Sequence, residues 1–210
     1  MRSFFEAISV SCVIPAQSPA DDERTVFENL SFAVERGEIV DLVGPSGSGK
    51  SSLLTACARL NPHAHGAFAL EGKGGKGEHL LPDERIRTTL DAMGCEDIDL
   101  ERAPHDLSGG QAARVALART LLTDPKVLLA DEVDAGLDDD NAAKVATIMA
   151  DAAAHGMAII RIRHRPPDGR ATRTLTLDKG RLTEHEMTDP AAQNANAVSA
   201  GADENEETQA

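Results

Sequence analysis

The spacing of apolar positions in this chain changes along its length. In the first third, "AISVSCVI" (7–14) and "TVFENLSFAVE" (25–35) are short and rich in β-branched residues. Such runs, parted by the polar, Pro-containing "PAQSPADDER", predict two β-strands. A turn at Arg36-Gly37 leads into a short strand over Ile39–Val43. After a glycine-rich segment, Leu53, Leu54, Cys57 and Ala58 fall on one face of a helix that Asn61-Pro62 ends. "AFALEGK" (67–73) reads as a further short strand.

From residue 83 the period lengthens. Ile86, Leu90 and Met93 are spaced for one face of a helix near 83–93. A second helix begins in "LSGGQAARVALART" (107–120), with Val115, Ala118, Leu121 and Leu122 inward and a stop at Asp124-Pro125. "KVLLAD" (126–131) is uninterrupted, as expected of a strand buried on both faces of a parallel sheet. Val145, Ile148, Met149 and Ala152 mark a helix over 139–154, with Gly156 as its cap. "MAIIRIR" (157–163) is a strand, and "RTLTLDKGRLTEH" (173–185) a hairpin around Lys179-Gly180. Strands alternating with helices predict an α/β layer fold, and the strand-rich first third predicts an antiparallel flank. There is no internal repeat.

Length and charge narrow the picture. The chain has 210 residues, enough for one sizeable core. With 35 acidic against 21 basic residues its formal charge is −14, which argues against a nucleic-acid interface. No Lys or Arg follows Arg181, and residues 188–210 read as a solvated acidic tail behind a domain over 1–187. Three widely spaced cysteines, Cys12, Cys57 and Cys95, fit reduced thiols. No run approaches the ~18 apolar residues that cross a bilayer. The N-terminus is faintly like a signal peptide, but Glu6 interrupts its apolar centre, so a first strand is the better reading. Membrane association would then come through a partner.

The glycine-rich segment carries the first chemistry. Gly44, Pro45, Ser46, Gly47, Ser48, Gly49, Lys50, Ser51 and Ser52 fit G-x-x-x-x-G-K-[ST] between a strand and a helix, the context of a phosphate-binding loop. Glycines let backbone N–H groups wrap phosphates, Lys50 reaches the β/γ-phosphates, and the Ser51 hydroxyl is suited to Mg²⁺. "VLLADE" (127–132) supplies two acids at the end of a buried strand. Asp131 suits an indirect Mg²⁺ contact, and Glu132 is placed to polarise an attacking water.

"LSGGQ" (107–111), taken with "GPSGSGKSS", "LLADE", "AGLD" (135–138) and His164, resembles the ATP-binding-cassette (ABC) ATPase family over about residues 5–184. The resemblance implies an α/β fold, a P-loop NTPase of ABC type. It would have a RecA-like parallel-sheet core with an antiparallel β flank and a shortened helical subdomain. It implies ATP and Mg²⁺ as cofactors and a head-to-tail pairing with a second ABC subunit, in a homodimer or heterodimer. Ser108, Gly109 and Gly110 of one subunit would cap the γ-phosphate held by the other, with Asp138 crossing the interface. Glu132 and His164 become the expected catalytic residues, and Gln111 reads as a helix residue. A separately encoded membrane permease is the expected partner, at the cytoplasmic face of the cell membrane.

The match breaks in two places. The family stacks an aromatic ring on adenine near the end of its first strand, but this chain has no Tyr or Trp and offers Ile14 there. Only 58 positions separate Lys50 from Ser108, and no Gln lies between them. The family's Gln contacts the metal and signals to the permease; Glu78 and His79 are the polar substitutes on offer. This trimming leaves two rivals to the transport reading, a soluble ATP-driven switch and an ATP-binding module with poor turnover. His63, His65 and His105 read as loop residues, and Asp138–Asp140 as the acid-rich start of a helix.

Overall fold

The computed structural model describes residues 4–16, 22–71, 83–163 and 165–186. In chain order these form β1 (Phe5–Ile14), β2 (Arg24–Val34), β3 (Ile39–Val43), α1 (Lys50–Cys57), β4 (Ala64–Leu70) and α2 (Asp83–Ala92). They continue with α3 (Gly109–Leu121), β5 (Val127–Asp131), α4 (Asp139–Ala154), β6 (Ala158–Ile162), β7 (Arg173–Asp178) and β8 (Arg181–Glu186). The early strands build an antiparallel sheet of order β2-β1-β4. Its β1–β2 ladder is interrupted by register shifts, and Ser9 and Asn29 adopt positive φ. Hydroxyls on the facing strand take up the displaced N–H groups: Ser31 Oγ accepts from Ser9, and Ser11 Oγ from Asn29, each at 2.9 Å.

The remaining strands form a second sheet of order β5-β6-β3-β7-β8, parallel except for the β7–β8 hairpin. Lys179 and Gly180, at φ 46° and 74°, make the tight turn that joins the hairpin strands. Two cores result. Between the sheets, Val10, Phe27, Leu42, Leu53, Ile160 and Leu177 pack with α1 in their midst. On the other face, Ile39, Met93, Leu117, Leu128, Met149 and Ile159 join the second sheet to α2, α3 and α4. The α/β class and the antiparallel flank are therefore as the pattern predicts.

Some details differ from the sequence reading. In α1, Ala56 is buried and Ala58 exposed, because the helix ends at Cys57 and Arg59 turns back at φ 58°. In α3, Arg114 and Leu117 are buried, whereas Val115, Leu121 and Leu122 are only half-covered. β5 is an edge strand with an alternating pattern: Leu128 and Ala130 are buried, Val127 and Leu129 partly open, Asp131 exposed. An unbroken apolar run did not mean burial on both faces. The segment 72–82, with Glu78 and His79, lies outside the described residues, as do His164 and residues 187–210, which include the expected tail over 188–210.

Candidate functional site

β3 launches the phosphate loop and α1 receives it. The chain crosses between them with Gly44, Gly47 and Gly49 at φ 146°, 75° and 101°, conformations that a β-carbon strongly disfavours. Gly49 is the N-cap of α1 and has no side chain to bond the helix start. The first N–H groups of α1 are left to serve an external acceptor, at the positive end of the helix. Lys50 arches back over the loop, its ammonium donating to the carbonyls of Gly44 (2.8 Å) and Pro45 (2.9 Å).

Ser46, Gly47, Gly49, Lys50, Ser51 and Ser52 line one side of a cleft of about 360 Å³. Its other walls are Glu132, from the residue after β5, and Ile14, Arg24 and Val26 from the ends of β1 and β2. Of the loop residues, Gly44, Pro45 and Ser48 do not line this cleft, and neither does Asp131. Parallel pairing of both β5 and β3 with β6 brings Glu132 opposite the loop. Glu132 sits at φ 52°, its N–H donating to Ile162 O at 3.0 Å and its carbonyl accepting from Ala135 at 2.9 Å. Ser51 supplies a hydroxyl oxygen in the cleft, and Asp131, the residue before Glu132, carries an exposed carboxylate outside its lining. These are hard oxygen donors, few in number, which suits a Mg²⁺ ion that arrives on phosphates and keeps several waters. Among the described residues no group of three His, Cys, Asp or Glu side chains is placed to hold a metal alone.

The second helix start is built differently. Ser108 is the N-cap of α3, and its Oγ accepts from Gln111 N at 3.2 Å while Gln111 Oε1 accepts from Ser108 N at 3.0 Å. This reciprocal capping box fixes the local backbone. Gln111 also donates to Asp97 at 3.2 Å, which makes it a structural residue, as its position suggested. The Ser108 hydroxyl accepts in this box, so its own proton remains available to an outside acceptor. A β-carbon on Gly109 would meet nothing within 4 Å, and Ser108 and Gly109 are both exposed. Ser108, Gly109, Gly110 and Asp138 do not line the phosphate cleft of their own chain.

Asp138 caps α4, accepting from Asn141 N at 2.8 Å and from its side-chain amide at 2.7 Å. Those bonds, helped by the charge of Arg114, hold its carboxyl below the ordinary range. The acid run 138–140 is thus a helix start. His63 and His65 are exposed, the latter on β4 rather than in a loop, and His105 is exposed on the 3₁₀ turn over Pro104–Asp106.

Sequence reasoning missed a buried charge network beside this site. Arg161 Nε donates to Asp41 Oδ1 at 2.5 Å, and Asp168 accepts from Arg161 at 2.6 Å and 3.0 Å. Arg163 reaches Asp134 at 3.0 Å and Asp168 at 3.0 Å. The signal was present: Asp41 in "IVDLV" and Arg161 in "IIRIR" each break an apolar strand, and charges of opposite sign inside two strands imply a pair.

A glycine-rich loop capping a helix, an acid facing it across a parallel sheet and an antiparallel flank define a P-loop nucleoside-triphosphate-binding protein. The ABC transporter family model matches residues 27–86 and 76–135, together more than half of the chain. The aliphatic sulfonates import ATP-binding protein SsuB 2 of Mesorhizobium japonicum is 35% identical over 184 residues, 76% of this chain and 74% of that protein. The glutamine transport ATP-binding protein GlnQ of Geobacillus stearothermophilus is 27% identical over 202 residues, 76% and 83% of the two chains. Among solved structures, a dimeric bacterial ABC transporter cassette (MJ0796) superposes with a TM-score of 0.72 at 19% identity, covering 88% of this chain and 99% of that one. The ADP conformation of the ATP-binding cassette MJ1267 gives 0.71 at 17%, covering 94% and 99%. The chain belongs to the ABC transporter family, as an ATP-binding ATPase subunit.

Proposed function

We propose that this chain is the motor subunit of a membrane transporter, pairing head-to-tail with a second ABC subunit around MgATP and driving a separately encoded permease. Lys50, Gly47 and Gly49 bind the phosphates, with the rest of the loop from Gly44 to Ser52 shaping the cradle. Ser51 and Asp131 hold Mg²⁺, and Glu132 polarises the attacking water. His164 steadies the γ-phosphate. Ser108, Gly109, Gly110 and Asp138 act on the partner's nucleotide. The observation that carries this reading is the shared cleft, in which Lys50, Ser51 and Glu132 face one another.

Two further facts support it. Ser108 and Gly109 present a capped, exposed helix start outside the chain's own cleft, which is the arrangement a paired site needs. The named relatives are import or transport subunits, which favours uptake at the cytoplasmic face of the membrane; their cargoes differ, so cargo does not transfer. Among the described residues no helix is long and apolar enough to cross a membrane.

Glu132→Gln is the decisive variant. Removing a positioned general base costs about 10²- to 10⁴-fold in rate. The variant should bind MgATP as wild type does, hydrolyse it at least about 100-fold more slowly, and accumulate as an ATP-dependent dimer. Wild-type turnover would remove Glu132 from its role, and a strictly monomeric ATP-bound variant would remove the paired site. Recovery of a multi-span membrane protein with the dimer separates transport from a soluble switch.

A further inference from the structure

The charge network beside the cleft links the two halves of the hydrolysis site. It starts at Asp41 on β3, three residues before the phosphate loop, and crosses to its register partner Arg161 on β6. From there it passes through Asp168 to Arg163 and ends at Asp134, two residues beyond Glu132. Asp41, Arg161 and Asp134 are all buried. Arg165 adds a second grip on the same loop. It bonds Asp139 Oδ1 at 2.7 Å, the carbonyl of Asp134 at 3.4 Å and the carbonyl of Leu137.

Buried ion pairs are poor sources of stability, since desolvation offsets most of their attraction. Their geometry is nonetheless tightly specified, and here that specification falls on one loop. Glu132 occupies a left-handed backbone conformation, which persists only where the surroundings over-determine it. Ile162 fixes the Glu132 N–H, Arg163 fixes the side chain of Asp134, and Arg165 fixes two carbonyls and the start of α4. Each clamp comes from the end of β6 or the residues that follow it, and β6 is the strand between β5 and β3.

We propose that Arg163 and Arg165 are positioning residues for hydrolysis, holding the Glu132–Asp138 loop in fixed register with the phosphate loop. Neither lines the phosphate cleft. Their effect is on where the Glu132 carboxylate stands, and a misplacement of 1 Å is enough to cost about 100-fold in rate. The inference rests on Glu132 as the water-polarising group.

The test uses the full chain at saturating MgATP. Arg165 is partly open to solvent, so Arg165→Gln removes the three-point grip with little threat to folding. It should lower kcat about 10- to 100-fold while KM for ATP and affinity for a non-hydrolysable analogue stay within about two-fold. Hydrogen exchange should quicken in 132–138 and not in the phosphate loop. Arg163→Met combined with Asp134→Leu replaces the other clamp by apolar groups, a swap often neutral for stability, and should show the same kcat loss. Unchanged kcat and unchanged exchange in folded Arg165→Gln overturn the proposal even if the double variant does not fold. Glu132→Gln in the same assay keeps the two ideas apart. If it turns over normally, the Glu132 reading fails; if it is inactive while both arginine variants are fully active, only the positioning fails.

Discussion

The α-carbon of Gly44 lies against the carbonyl oxygen of Leu177 with no space for a β-carbon between them. Leu177 is on β7, which pairs with β3 up to Val43, so the phosphate loop leaves the sheet by passing directly over its neighbour strand. Gly44→Ala meets both this backbone clash and a φ of 146°. It should cost at least about 2 kcal/mol of stability and abolish ATP binding. Gly47, at φ 75°, has open space around it, so Gly47→Ala should cost only about 1 kcal/mol. Thermal melts of the two variants, read with a nucleotide-binding assay, check the contrast.

Gly109 separates folding from pairing. It is an exposed helical residue with nothing near its missing β-carbon, and helix propensity favours Ala over Gly by up to about 1 kcal/mol. Gly109→Ala should therefore leave the melting temperature unchanged or slightly raised. If the start of α3 seats against a partner's nucleotide, the same variant should lose ATP-dependent dimerisation measured in a Glu132→Gln background. Full dimerisation would place the partner contact elsewhere.

The parts of this molecule that follow a local rule were legible in the sequence. The strand over Ile39–Val43 and the helix over Asp139–Ala154 match their expected bounds, because apolar period and caps decide them locally. The loop from Gly44 to Ser52 was legible because its chemistry needs residues adjacent in sequence. What was missed depends on strands far apart in the chain becoming neighbours. Arg161 and Asp41 are 120 positions apart, and only the parallel pairing of β6 with β3 shows them to be partners. The edge position of β5 is likewise set by sheet order, which no local pattern records.

Ile14 lines the cleft from the end of β1, together with Arg24 and Val26 of β2. An aliphatic side chain there gives apolar contact to a base but no ring to stack on it. Ile14→Tyr should tighten ATP binding by roughly 1 kcal/mol, about five-fold, the low end of base stacking on an aromatic side chain. Binding of inorganic triphosphate should not change, since it reaches only the phosphate loop. Equal gains for both ligands, or none for ATP, would mean that the base does not lie against this wall.

Asp168 gives the charge network its pH dependence. Burial works against its charged form, but bonds from Arg161 and the Arg170 N–H, with the charges of Arg161 and Arg163, outweigh this and hold its carboxyl below the ordinary range. A carboxyl with a depressed native pKa adds stability that is fully present above its unfolded value of about 3.9 and fades as pH falls through the native value. Asp168→Asn leaves two arginines short of an acceptor and should cost about 3 kcal/mol near neutrality. Because the group stays ionised in both states there, the difference from wild type should be constant between pH 7 and about 5. Below about pH 4 it should shrink, as wild type loses the same interaction by protonation. Urea melts across that range measure the difference directly, and a gap that closed near pH 6 instead would mean that Asp168 is not held ionised by the arginines.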